Sequence, residues 1–307
     1  VEFPSVYSAR NQLIRTQSGQ IEFDFAERRQ EILAEAKKYC LELIYLEKRL
    51  VIEQERIAQA QEVLEQAQER YEKEQIGIIE LNKAKVAWMQ DRYRVEHIQK
   101  DKVNALNALK TLNGGGEIRP GSSEYVHALE LPEVETLWNE KLTNDPTLGL
   151  LRQQESIAMH QLKLSKSKTL PNLTAGFNSQ GIAGERFSGI YAGLSIPLWS
   201  NRNQVKSAQS NLKYQEAFAE TKTQMAFTEF ENEYNDYQHK LERFQNYQET
   251  LNGLNSESLL LEAYQLGEIS FLEYYQELQF FREAVDTMLD MQHQLYQAKN
   301  KLLRHQL

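Results

Sequence analysis

The chain has 307 residues and a single cysteine, Cys40, which excludes a disulfide framework and a cysteine-based zinc site. No run of about 18 apolar residues occurs, so no transmembrane helix is expected. Basic charge is short as well: the formal net charge of −9 argues against nucleic acid as a partner, because such binders present basic surface. The six histidines (His97, His127, His160, His239, His293 and His305) include no pair three or four residues apart, and the five methionines are scattered, so no metal site is expected. There is no Gly-rich phosphate loop after a strand and no Gly-x-Ser-x-Gly elbow. An enzyme reading therefore has no support, and no cofactor is expected.

Proline is the most informative scarcity. The six are Pro4, Pro120, Pro132, Pro146, Pro171 and Pro197, leaving 5–119 and everything after 197 empty. Proline inside a helix costs roughly 3 kcal/mol, so its absence permits two long helical regions. Ten of the 14 glycines lie between Gly114 and Gly193, which concentrates turn chemistry in the middle of the chain. A compact α/β enzyme, with turns spread evenly, does not look like this.

What is present is a heptad pattern. Over about 20–75 a seven-residue step joins Ala36, Leu43, Leu50, Ile57, Leu64 and Tyr71. A companion series joins Tyr39, Leu46, Ala60 and Ala67, interrupted once by Glu53. This is the a/d seam of a coiled coil. A second helix is expected over about 78–112. There Leu81, Trp88, Val95 and Leu109 form one seam, interrupted by Lys102, and Ala84, Ile98, Ala105 and Leu112 the other, interrupted by Asp91. Asn113-Gly114-Gly115-Gly116 ends it. The short connection between the two implies an antiparallel hairpin.

Residues 113–145 read as an irregular linker with a short helix near 134–142. Asp145-Pro146 then opens a helix of 147–170, with Asp as cap and Pro at the first helical position. Over 172–198 the period changes to two. Leu173, Ala175 and Phe177, then Ile190, Ala192, Leu194 and Ile196, alternate with polar or small residues, and Gly181-Ile182-Ala183-Gly184 forms the loop between. Such a pair suits a membrane β-barrel, though a soluble hairpin has much the same pattern. The long-helix pattern returns over 205–264, breaks at Leu266-Gly267-Glu268-Ile269-Ser270, and resumes from 271 to the end.

The chain also repeats itself. Ser8-Ala9-Arg10-Asn11-Gln12 matches Ser200-Asn201-Arg202-Asn203-Gln204, and Gln17-Ser18 matches Gln209-Ser210. One residue out of step, Tyr71, Ile76 and Glu80 match Tyr264, Ile269 and Glu273. Glu2-Phe3-Pro4 echoes Ser195-Ile196-Pro197. The unit is short helix, strand, strand, long helix, turn, ascending helix. Residues 1–112 are then an incomplete first repeat (second strand plus hairpin, tip near 72–80). Residues 146–307 are a full second one, with its hairpin over 205–307 and its tip near 265–273. On this reading the chain is an N-terminally truncated piece of a longer protein.

These pieces, in this order, resemble the TolC-like outer-membrane efflux protein family. The carriers are Asn144-Asp145-Pro146, Leu170-Pro171-Asn172-Leu173, Gly193-Leu194-Ser195-Ile196-Pro197-Leu198, and the tip from Tyr264 through Gly267, Ser270 and Leu272 to Glu273. The implied fold is mainly α, with long antiparallel coiled-coil hairpins in two tandem repeats and a small strand portion belonging to a trimeric outer-membrane β-barrel.

The resemblance further implies a non-catalytic homotrimer in the outer membrane of a Gram-negative bacterium, helical part in the periplasm and barrel in lipid. It would be the passive exit duct of a tripartite efflux pump or type I secretion system, joined by a periplasmic adaptor to an inner-membrane pump. In the family an acid nine residues after the tip aromatic lines the pore constriction, which here selects Glu80 and Glu273. Threefold symmetry would gather such carboxylates into a cation-favouring ring. Without the resemblance, a solvated helix-face glutamate is the plainer reading. Leu266, Gly267 and Ser270 match the family's adaptor-contact motif. The first tip departs from it, since Lys73-Glu74-Gln75-Ile76-Gly77 has Glu where Gly belongs and Gly where Ser belongs. The alternative from another class is a periplasmic adaptor or other coiled-coil interaction protein, but adaptors carry one hairpin per chain.

Overall fold

The structure, a computed structural model, describes residues 2–307 except 119, 120, 122, 123, 126, 127, 183, 184, 198–200, 253 and 255. In order, the elements are α1 (Pro4–Glu72), α2 (Ile78–Leu112), α3 (Val134–Asn144), α4 (Pro146–Ser167), β1 (Asn172–Ile182), β2 (Glu185–Ser195), α5 (Arg202–Asn252), α6 (Ser256–Gln265) and α7 (Phe271–Leu302). A 3₁₀ turn, Arg304–Gln306, follows. The chain divides into two compact units: 1–30 with 133–231 and 306, and 31–132 with 232–305 and 307.

In the first unit, Val6, Ala9 and Leu13 of α1 bury against Leu164 of α4. Asp145 caps α4, its carboxylate accepting from the Thr147 and Leu148 amides at 2.9 and 3.3 Å, with Pro146 in the first turn. Burial opposes ionisation of Asp145, but Lys141 and those two amides outweigh it and hold the carboxyl below its ordinary value. Gly149 lets α1 come close, since a Cβ there would lie 2.4 Å from the Phe23 ring. Trp138 of α3 packs edge-on against Phe227 of α5, centroids 5.1 Å apart. The strands pair antiparallel from Asn172↔Ser195 to Ile182↔Glu185.

In the second unit α1 runs antiparallel to both α2 and α7. Leu43 meets Ala105 and Leu109, while Leu46 and Leu50 meet Ile98. Lys102, a break in the α2 seam, pairs with Glu47 of α1. On the other side His293 of α7 binds Glu42 at 3.0 Å. The linker is stitched to this body: Tyr125 stacks on Tyr296 at 3.9 Å, and Glu124 pairs with Lys48 at 3.1 Å.

Several expectations need correction. The first helix starts at Pro4, not near 20, because proline at the first helical position is pre-set for it. The strand expected before it is absent among the described residues: Glu2 instead pairs with Arg10 at 2.7 Å, and no strand is available to pair with it in the two-stranded sheet. The helix expected over 205–264 stops at Asn252 and restarts at Ser256; the intervening sequence, Asn252-Gly253-Leu254-Asn255, is turn chemistry. The seam of α1 also slips. Leu43, Leu46, Leu50 and Glu53 are buried, and the stripe then continues through Arg56, Val63 and Ala67, with Ile57 and Leu64 only half-buried and Tyr71 exposed. A step of three where four belongs is the three-residue insertion that overwinds a coiled coil locally. Of the expected 181–184 loop, Gly181 and Ile182 belong to β1; Ala183 and Gly184 lie outside the described residues, as do Leu198 and Ser200 of the quoted motifs, Pro120 and His127.

Candidate functional site

The sequence singled out the two hairpin tips, and both lie in the second unit. Each helix leading into a tip ends the same way. At the second tip the Gly267 amide donates to Tyr264 O at 3.0 Å and the Glu268 amide to Ala263 O at 2.9 Å. At the first, Glu74 donates to Tyr71 O at 2.9 Å and Gln75 to Arg70 O at 2.8 Å. This pairing of bonds is the Schellman ending, whose penultimate position is left-handed. Gly267 has φ +77° and Glu74 φ +57°. The first tip thus keeps the turn despite its departing sequence, with a glutamate in a conformation natural to glycine. A Cβ on Gly267 would touch nothing within 4 Å, so the requirement there is conformational, not spatial.

The helices leaving the tips begin differently. Ser270 caps α7: its hydroxyl accepts from the Glu273 amide at 3.3 Å, and the Glu273 carboxylate accepts from the Ser270 amide at 2.9 Å. This reciprocal capping box accounts for both residues structurally. The backbone amide of Ser270, foremost, holds the Glu273 carboxyl below its ordinary value. Gly77 caps α2 with no side chain. Glu80 occupies the same helical position as Glu273 without such a box, and its charge reaches Tyr264, whose phenol is raised first by burial and then by Glu80, against the lowering pull of Arg70.

Beneath the tips lies a shared apolar cluster. Val63 and Ala67 of α1, Leu81, Ala84 and Ala87 of α2, Tyr264 of α6, and Phe271, Tyr274 and Leu278 of α7 make it up. Tyr264 is 1% exposed whereas its repeat counterpart Tyr71 is 37% exposed, so the two tip aromatics are not equivalent. Arg70 stands 5.0 Å from the centre of the Tyr264 ring and donates to the Tyr264 and Gln265 carbonyls at 3.4 and 3.3 Å, capping α6 from α1. Leu266 projects outward, 68% exposed.

The sequence reading missed an open apolar groove of about 490 Å³ between α2 and α7, lined by Ile79, Val86, Ala87, Phe271, Leu272 and Tyr275. The available sign was the pair Ile78-Ile79 just after the first tip, off the heptad seam. No helix among the described residues is long and apolar enough to cross a membrane, and no group of His, Cys, Asp and Glu able to hold a metal occurs among them.

The architecture defines a class: two helical hairpins separated in chain order by a β-hairpin. No family model and no curated protein matches the chain. Solved structures do. A membrane protein from Pseudomonas aeruginosa superposes with a TM-score of 0.80 at 16% identity, over 99% of this chain and 72% of that one. The CmeC outer membrane channel of Campylobacter jejuni gives 0.74 at 16%, over 99% and 68%. The outer membrane protein VceC of Vibrio cholerae gives 0.77 at 15%, over 99% and 76%. The fold is therefore that of the TolC-like outer-membrane channels, as the resemblance implied.

Proposed function

We propose that this chain is the outer-membrane channel subunit of a tripartite efflux pump or type I secretion system, a homotrimer giving passive exit to substrates delivered by an inner-membrane pump. The carrying observation is the β-hairpin. Leu173 faces Leu194, Ala175 faces Ala192 and Phe177 faces Ile190, so one side of the sheet is apolar over three successive pairs before Ser179 faces Ser188. That side is uncovered, Ile190 being 87% exposed. The other side carries Thr174, Gly176, Asn178, Gly193 and Ser195, with the amphipathic Tyr191 opposite Gly176. Apolar-out, polar-in alternation on an antiparallel pair is what a lipid-facing barrel requires. An open sheet edge is not tolerated in lipid, and copies of the chain completing a barrel would remove it.

In this reading the helical part stands in the periplasm. Leu266, Gly267 and Ser270, beside the groove of Ile79 and Leu272, form the landing for a periplasmic adaptor. Glu80 and Glu273 contribute to a negative constriction, Glu80 being the freer of the two carboxylates. The repeats are 1–112 and 146–307, joined by 113–145.

Conductance of the full-length protein in planar bilayers tests this. Trimer-dependent, cation-preferring conductance is expected, with the preference reduced in Glu80→Gln. Absence of any conductance from correctly assembled trimers refutes the channel reading, and an unchanged ion preference removes Glu80 from the constriction.

A further inference from the structure

Two of the three breaks in the apolar seams, Glu53 and Asp91, are each 1% exposed. They anchor a buried ionic layer crossing three helices. Glu53 accepts from Arg56 at 2.6 Å, and Arg56 also reaches Asp286 of α7 at 2.8 Å and the Arg282 carbonyl at 3.2 Å. Arg282, itself 2% exposed, donates to Asp91 of α2 at 3.0 Å, and Arg94 completes the chain at 3.3 Å. The layer sits where the α1 stripe makes its three-residue step. It is not optimised for stability: Glu53 Oε2 and Arg282 Nε are buried without a partner among the described residues. Apolar residues commonly replace such buried pairs without loss, whereas removing one partner strands a charge.

The layer also has no counterpart in the other repeat. At the tip spacing that relates Tyr71 to Tyr264, Glu53 and Arg56 correspond to Asn246 and Glu249, Asp91 to Ala284, and Arg282 and Asp286 to Met89 and Tyr93. Asn246, Glu249, Met89 and Tyr93 are all exposed. Duplication leaves α2 and α7 with similar apolar seams, and a heptad seam alone tolerates a seven-residue slide. Such a slide of α7 would bring Tyr275 or Leu289 opposite Asp91 and leave Arg282 among apolar side chains.

We propose that this layer is a registry device: it breaks the equivalence of the duplicated hairpins and pins α7 at one axial position against α1 and α2. A buried polar position that fixes coiled-coil register at a cost in stability is the physical precedent. The inference rests on the hairpin packing and stands whether or not the chain is a channel.

The test is pulsed electron–electron distance measurement on the full chain in a Cys40→Ser background. Spin labels go at the exposed positions Lys85 of α2 and Gln294 of α7, which are offset along the helix axis so that a slide changes their separation directly, with labelled chains diluted in unlabelled ones. The parent should give one narrow distribution. The combined Glu53→Leu, Arg56→Met, Asp91→Leu, Arg282→Met variant should melt no lower than the parent, yet show a second population displaced by two helical turns, about 10 Å. Asp91→Arg alone should broaden the distribution, and adding Arg282→Asp should narrow it again. A folded apolar variant with the single parental distribution overturns the proposal. If that variant does not fold, the exchange pair decides: failure of Asp91→Arg to broaden, or of the reversal to restore, overturns it equally.

Discussion

Replacing Glu74 by glycine is expected to tighten the first hairpin tip. Glu74 sits at φ +57° in the position that Gly267 holds at φ +77° in the second tip. The left-handed conformation costs an L-residue roughly 1–2 kcal/mol. Glycine removes that cost but gains about 0.4–1 kcal/mol of unfolded-chain freedom. The net stabilisation is about 0.5–1 kcal/mol, a two- to fivefold change in a local opening equilibrium at about 1.4 kcal/mol per decade. Hydrogen exchange is the suitable assay, because the tip opens locally rather than with the whole chain. The reporter is the Gln75 amide, bonded to Arg70 O at 2.8 Å. Glu74→Gly should slow its exchange two- to fivefold, while Glu74→Ala, which removes the charge but keeps the strain, should not. Gly267→Ala should speed exchange at Glu268 by a similar factor, since a Cβ there meets no neighbour that could complicate the effect. Equal behaviour of Glu74→Gly and Glu74→Ala would refute the reasoning.

Three further outcomes are expected. Asp145→Ala should destabilise the first unit by about 1–2 kcal/mol, as loss of a helix cap does, while Asp145→Asn keeps most of the stability; chemical denaturation of both variants checks this. Gly149→Ala should cost about 1–3 kcal/mol by overpacking against Phe23, and Phe23→Ala in the same chain should recover part of it in a double-mutant cycle. Glu273 has a folded-state pKa below its unfolded one, so its capping contribution is complete above the unfolded value and fades as pH falls through the folded one. Ser270 amide exchange should accelerate in that acid window in the parent and stay flat in Glu273→Gln, measured relative to the Glu268 amide.

Proline-free stretches and heptads made the helical arms legible, and period-two alternation made the strand pair legible, because each reports one element's own geometry. The Asp145-Pro146 helix start was equally plain, since a cap is a contact between neighbours in sequence. What escaped depended on distant residues. Glu53 and Asp91 stand out as flaws in a seam, and only the approach of Arg56 and Arg282 turns them into a network. The slip from Ile57 to Arg56 is invisible to a rule that counts sevens. The tip motif was legible as a motif but ambiguous as to role. Ser270 and Glu273 satisfy each other, and no spacing rule distinguishes a pair committed to a cap from one presented to a partner.

The β-hairpin has a consequence for handling the protein. Its two outer edges, one on β1 and one on β2, are unpaired among the described residues and differ from each other. Addition of one copy to the next through them is head-to-tail, and such contacts either close into a ring or propagate without limit. On the proposed channel reading, assembly is thus a competition between a finite barrel and open-ended strand growth. Protein concentration and the presence of an apolar phase would choose between them before any property of the helices is consulted.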